Sequence, residues 1–167
     1  MQDLQKFKVP DNFRGKSKII IQLWWLIQAT LFRASPQVLY GWRRFLLRCF
    51  GAEIGKGVII RPSTQITYPW KVTIGDYSWI GDDVVLYSLG EIIIGKNTVI
   101  SQKSYICTGT HDYSKIDFPI LAKKIVIGDE CWLATDVFVS PGVTINKGVV
   151  VGARSTVIKD LDSNSVY

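Results

Sequence analysis

The chain has 167 residues, 47% of them hydrophobic and 20% charged, which is ample for one domain with a core and too apolar for a disordered segment. Twenty Lys and Arg against 14 Asp and Glu leave a net charge of +6, a balance that suits an anionic partner and is met as well by solvated surface. Cys49, Cys107 and Cys131 are an odd set without metal-ligand spacing, which argues against a disulfide framework or zinc site and for a reducing compartment.

Residues 1 to 18 are polar, with Pro10 and Asp11-Asn12 marking a turn, so an irregular arm is predicted. Lys6, Lys8, Arg14, Lys16 and Lys18 are not followed by a small-residue exit, and no secretory signal is expected. From Ile19 to Arg33 the chain is apolar nearly all round, apart from Gln22 and Gln28. This run falls short of the roughly 20 apolar residues that cross a bilayer. A helix packed on the open end of a repeat is predicted, and peripheral membrane contact is the alternative. A second helix is expected to start at Ser35-Pro36, run through Tyr40, Trp42, Phe45 and Leu47, carry Arg43, Arg44 and Arg48 towards its end, and stop at Gly51. Residues 1–50 thus form an arm with helices, and residues 51–167 a second unit of different pattern.

In that unit an aliphatic residue returns every sixth position: Ile54, Ile60, Ile66, Val72; Ile74, Ile80, Leu86, Ile92; Ile94, Ile100, Ile106; then Ile127, Leu133, Val139, Ile145, Val151 and Val157. A small residue mostly follows four positions later, and Trp70 is the clear break. A period of six fits neither the 3.6 of a helix nor a plain alternation, but it fits a chain that turns a corner after each short strand. Three hexads make one coil, so an all-β solenoid of about five coils is predicted, three-sided and closed by inward aliphatic columns. Two extra residues, near Tyr68-Pro69-Trp70-Lys71 and near Leu89-Gly90-Glu91, read as bulged corners. A longer interruption between Ile106 and Ile127 reads as a loop insertion at about 111–126.

His111, the only histidine, stands at the root of that loop. Imidazole is the side-chain type suited to taking and returning a proton in catalysis, and loops on rigid scaffolds are where sites tend to lie. The sequence has no Gly-x-Ser-x-Gly elbow, phosphate-binding loop or dinucleotide fingerprint, and no second histidine for a metal cage.

Ile74-Gly-Asp-Tyr-Ser-Trp-Ile-Gly, Thr108-Gly-Thr-His-Asp-Tyr, Ile127-Gly-Asp-Glu-Cys-Trp-Leu-Ala and Ser140-Pro-Gly-Val-Thr-Ile resemble the hexapeptide-repeat acyltransferases. The helix Leu39-Tyr-Gly-Trp-Arg-Arg-Phe-Leu-Leu-Arg resembles the colanic acid type of sugar acetyltransferase within them. The resemblance runs from about residue 35 to the C-terminus. It implies a left-handed parallel β-helix, a homotrimer with sites between subunits, acetyl-CoA as donor, no metal requirement and no nucleic-acid partner. Carried over by position, His111 matches the general base and Thr135 a hydroxyl near the developing oxyanion, where either it or a nearby backbone amide is expected to stabilise the intermediate; Asp112 is expected either to orient the imidazole or to cap the loop. Trp132, Ala134, Thr135, Ala153 and Lys159 match the coenzyme groove, and Ser88 and Tyr113 the acceptor side. Two departures touch the groove: Ala134 replaces a commoner glycine and Ile158 a commoner threonine. The function so implied is O-acetyl transfer to a sugar hydroxyl in surface or exopolysaccharide synthesis, in the cytoplasm or at the inner face of the membrane. N-acyl transfer to an amino sugar or small amine, and a noncatalytic assembly role, are the alternatives.

Overall fold

The structure, a computed structural model, describes residues 2–167. Residues 53–157 wind into a three-sided parallel β-solenoid whose faces are three five-stranded sheets, each taking one strand of two or three residues from every coil. On the first face Ile54, Ile74, Ile94, Ile127 and Ile145 stack in register. The second face stacks Ile60, Ile80, Ile100, Leu133 and Val151, and the third Ile66, Leu86, Ile106, Val139 and Val157. All fifteen are buried. The period of six places them there, because each strand is too short to alternate more than once before the chain turns. Burying an isoleucine is worth about 1.5–3 kcal/mol, so these columns are the main stabilising term.

The small companions fill the edges of the prism. Ser78, Thr98 and Cys131 form one such column, in which Thr98 N donates to Ser78 Oγ at 3.0 Å and Cys131 N to Thr98 Oγ1 at 3.1 Å. Where the first face turns into the second, the third corner residue of each coil is left-handed: Gly57, Tyr77, Asn97, Glu130 and Gly148. In the first four coils the first corner residue is glycine for another reason, and in the fifth it is Asn146. A Cβ on Gly95 would lie 2.6 Å from the backbone of the next coil, at Gly128 C and Asp129 N. Close stacking, not an unusual dihedral, excludes a side chain there.

Two helices close the open end of the first coil. Helix α1 (Lys18–Ile27) continues through a π-helical turn at Gln28–Phe32, and α2 spans Tyr40–Cys49. α2 begins five residues later than the predicted Ser35-Pro36 start. The buried Arg43 guanidinium gathers Ser35 Oγ (2.8 Å), Pro36 O (3.0 Å) and Gln37 O (2.5 Å), which holds the intervening segment out of a helix. Burial pulls the Arg43 pKa down. α2 ends as predicted near Gly51 (φ +86°), where Gly51 N bonds Arg48 O and Ala52 N bonds Leu47 O, a Schellman cap.

With no coil beneath it, the first coil would leave a row of unpaired carbonyls. Arg43 Nε donates to Ile60 O (2.6 Å), Arg44 to Val58 O (2.7 Å), Arg48 to Ile54 O (2.6 Å) and Trp24 Nε1 to Ile66 O (2.8 Å). The arginines of α2 are thus caps on a sheet end and not a solvated basic face. Among the described residues no helix is long and apolar enough to cross a membrane.

Candidate active site

The third edge, where the third face returns to the first, carries every irregularity of the solenoid. In the first coil it holds a 3₁₀ turn at Pro69–Lys71, and in the second a bend at Leu89-Gly90. In the third it grows into an antiparallel hairpin, Gly109–His111 with Ile120–Ala122, joined by residues 112–119. Ser88 lies beneath this edge with no accessible surface, and its hydroxyl takes Tyr68 N (2.8 Å) and gives to Tyr68 O (3.0 Å). The expectation that Ser88 meets an acceptor is therefore corrected, since both hydrogen-bonding roles are used in fastening one coil to the next.

His111 pairs with Ile120 in the hairpin and is partly exposed. Its Nδ1 lies 2.9 Å from Phe118 O. A carbonyl only accepts, so Nδ1 carries the hydrogen in the neutral ring and Nε2 keeps its lone pair. The ring also stacks on the Phe118 ring, centroids 4.2 Å apart and planes at 8°, and the Phe7 ring approaches it to 6.0 Å. Phe118 itself is left-handed at φ +44°. The imidazole is thereby held in position and tautomer with one nitrogen available.

Asp112 does not take part in that orientation. Its carboxylate accepts from Ser114 N (3.0 Å) and Ser114 Oγ (2.5 Å) and pairs with Lys115 at 3.7 Å. The Ser114 hydrogen bonds hold its pKa below the usual value. Asp112 therefore caps the loop, and the Phe118 carbonyl has the role expected of it. Tyr113, beside it, is 89% exposed at the loop tip.

The groove residues stand on another edge. Ala134 and Thr135 in the fourth coil lie over the Ala153 corner of the fifth, with Arg154 N donating to Thr135 O at 2.9 Å. Thr135 Oγ1 donates to Gln102 O at 3.0 Å. Trp132 projects half exposed from the second face just before this edge, its Nε1 on Ser101 Oγ at 3.0 Å. Lys159 is exposed near the end of the last coil and makes no ion pair among the described residues. One whole face separates His111 from Thr135, roughly 15–20 Å for about six extended residues. The structure does not bring these two together within one chain.

Sequence reasoning did not anticipate three aromatic features around these residues. Tyr87, Tyr105 and Phe138 form a row of contacting rings on the third face, between the two edges, with neighbouring centroids 6.0 and 5.9 Å apart. Their outward positions beside inward Leu86, Ile106 and Val139 are the signal that could have found them. Phe118 and Phe7 carry no periodic signal. Among the described residues no three His, Cys, Asp or Glu side chains come together as metal ligands.

A parallel prism of hexads, with one oriented imidazole on an outgrowth of its third coil, defines a hexapeptide-repeat acyltransferase. The comparisons agree. A protein of Escherichia coli K12 bearing the name colanic acid biosynthesis acetyltransferase WcaF is 66% identical over 166 residues, 99% of this chain and 91% of its own. A maltose O-acetyltransferase of Clostridium difficile superposes with a TM-score of 0.80 at 25% identity, over 90% of this chain and 83% of its own. A hexapeptide-repeat acetyltransferase of Vibrio cholerae, solved with acetyl coenzyme A, superposes at 0.82 and 22% identity, over 99% and 92%. No protein-family model matches the sequence. The chain belongs to the hexapeptide-repeat acetyltransferases.

Proposed function

We propose that the protein moves the acetyl group of acetyl-CoA to a hydroxyl of a sugar in the synthesis of a surface polysaccharide, with His111 as general base. The observation that carries the reading is the 2.9 Å contact between His111 Nδ1 and Phe118 O, which leaves Nε2 as a fixed proton acceptor. The name of the Escherichia coli relative supports the polysaccharide setting. The thioester supplies an activated acyl carbon. Nε2 takes the acceptor's hydroxyl proton as that oxygen bonds the acyl carbon. The C–S bond then breaks, and the proton passes from the imidazolium to the departing thiolate. No acyl-enzyme is required.

The negative oxygen formed on the way needs a donor, and Thr135 stands nearest to that role. Its hydroxyl hydrogen is engaged with Gln102 O, whereas its backbone N–H donates to no acceptor among the described residues. The N–H is therefore the better candidate. Trp132, Ala134, Ala153 and Lys159 line the pantetheine and phosphate path, and Tyr113 stands on the acceptor side. Because His111 and Thr135 occupy different edges, the site is completed between two copies, and a homotrimer supplies three such junctions. Three free cysteines and the use of acetyl-CoA support a cytoplasmic setting.

The test is incubation with acetyl-CoA and a panel of nucleotide sugars, oligosaccharides and amino sugars, with release of free thiol as the readout. A hydroxyl acceptor should raise thiol release, and His111→Ala should lower it by about 10²–10⁴. Turnover of His111→Ala at the parent rate would show that the base is another group. Exclusive use of amines would replace O- by N-acetyl transfer.

A further inference from the structure

Charge is divided unevenly along the chain. Up to residue 50 there are nine basic side chains and two acidic ones, and after it eleven basic and twelve acidic. The whole positive balance therefore sits on the arm and helices, and no acidic residue occurs between Asp11 and Glu53. Arg43, Arg44 and Arg48 are engaged with carbonyls of the first coil. Lys16, Lys18 and Arg33 at the two ends of the α1 region are exposed and make no ion pair among the described residues.

Between those cations the outer side of α1 is apolar. Ile21, Trp24 and Phe32 face inward and are buried, but Ile19 (80% exposed), Leu23, Leu26 (61%) and Leu31 face out. The strip continues across Leu39 onto Trp42 and Phe45, whose rings stack 5.8 Å apart. An open apolar hollow of about 800 Å³ lies between Ala29, Leu31, Pro36, Leu39 and Trp42. A helix that is apolar all round is normally covered on all sides. Here one side rests on the solenoid and the other has no cover.

We propose that this strip docks on an anionic lipid bilayer, with Ile19, Leu23, Leu26 and Trp42 entering the headgroup boundary and Lys16, Lys18 and Arg33 meeting lipid phosphates. The charge selects the partner. A second copy of the chain would set one cationic strip against another, whereas an acidic membrane surface complements both the apolar strip and its rim. The ten residues of α1 lie along such a surface and do not span it. The position matters for chemistry as well. Ile21 on the inner side of α1 packs with Tyr68 and Leu89, against Ile120 and Ala122 of the hairpin, and Ile120 is the register partner of His111. On the reading of His111 as the base, α1 thus links the docked strip to the hairpin that carries that base.

The experiment is co-sedimentation of the full chain with vesicles containing phosphatidylglycerol, and with vesicles of phosphatidylcholine alone, at low and high salt. Binding to the anionic vesicles only, weakened by salt, is expected. Lys16→Ala and Lys18→Ala should each lower partitioning by about fivefold. Ile19→Glu with Leu26→Glu should abolish it, while acetyl transfer to a soluble acceptor is unchanged. Binding to neither vesicle, or equally to both, would overturn the proposal. So would a larger salt-insensitive assembly that disperses with the same double substitution, because the occupant would then be a second copy. Since sedimentation does not depend on turnover, failure here is separable from failure of His111 as base.

Discussion

Two edges of the prism keep strict time and the third does not. Where the second face turns into the third, Asp83, Lys103, Asp136 and Arg154 are left-handed at the same corner position of successive coils, as Tyr77, Asn97 and Glu130 are where the first turns into the second. Such corners stack because each presents the same backbone shape to the next. The third edge lengthens from a 3₁₀ turn to a bend to a hairpin over three coils, and it receives the arm, with Trp70 Nε1 bonded to Arg14 O at 2.8 Å and Lys71 Nζ to Phe13 O at 2.7 Å. A repeat is stable because its neighbours are alike, so a unique residue such as His111 is placed with least disturbance where likeness is already given up. On the proposed reading, the regular edges would hold the long coenzyme and the irregular edge the base.

That division makes substitutions on the two kinds of edge fail in different ways. The largest effect is on His111: His111→Ala should lose about 10²–10⁴ in turnover while thermal unfolding by circular dichroism is unmoved, because the ring is partly exposed on an outgrowth. A parallel fall in melting temperature would mean that the hairpin is a structural member of the prism. Gly95→Ala should do the reverse. A methyl 2.6 Å from Gly128 C and Asp129 N forces two coils apart, costing about 1–3 kcal/mol, with turnover kept at temperatures where the protein stays folded. Denaturant titration reads the difference, and an unchanged midpoint would show that the coils give way easily. Ser88→Ala comes next. It leaves Tyr68 N–H buried without its acceptor, at about 1–3 kcal/mol, and acceptor KM should stay at the parent value. A rise in KM with unchanged stability would return Ser88 to the acceptor side.

The regular part of the fold was legible because one rule repeats. The inward hexad residues from Ile54 to Val157 are all buried, and the two bulged corners occur where the extra residues fall. Trp70 breaks the small-companion rule because its slot is where the arm docks. What stayed illegible depends on contacts between distant residues. The arginines of α2 have the same spacing whether they face solvent or carbonyls of the first coil. The late start of α2 follows from Arg43 reaching back to Pro36 and Gln37. His111 could be picked out as the lone imidazole, but its partner could not, since Asp112 is adjacent in sequence and Phe118 O is adjacent only after the hairpin folds.

The smallest effect decides between those two partners. The Asp112 pKa is lowered chiefly by hydrogen bonds from Ser114. A carboxyl with a depressed folded pKa gives its full ordering contribution above the ordinary aspartate range near pH 4, about the unfolded value, and loses it as pH falls through the folded one. Loop order should therefore be constant from about pH 5 to 8, and the Ser114 amide resonance should shift only in more acidic solution. Asp112→Asn should remove that acid titration and leave the His111 ring resonances and the neutral-pH turnover close to the parent. If the imidazole resonances move instead, and turnover falls as far as in His111→Ala, the carboxylate orients the base and the Phe118 carbonyl does not. The outgrowth would then be held by charge and not by its own backbone.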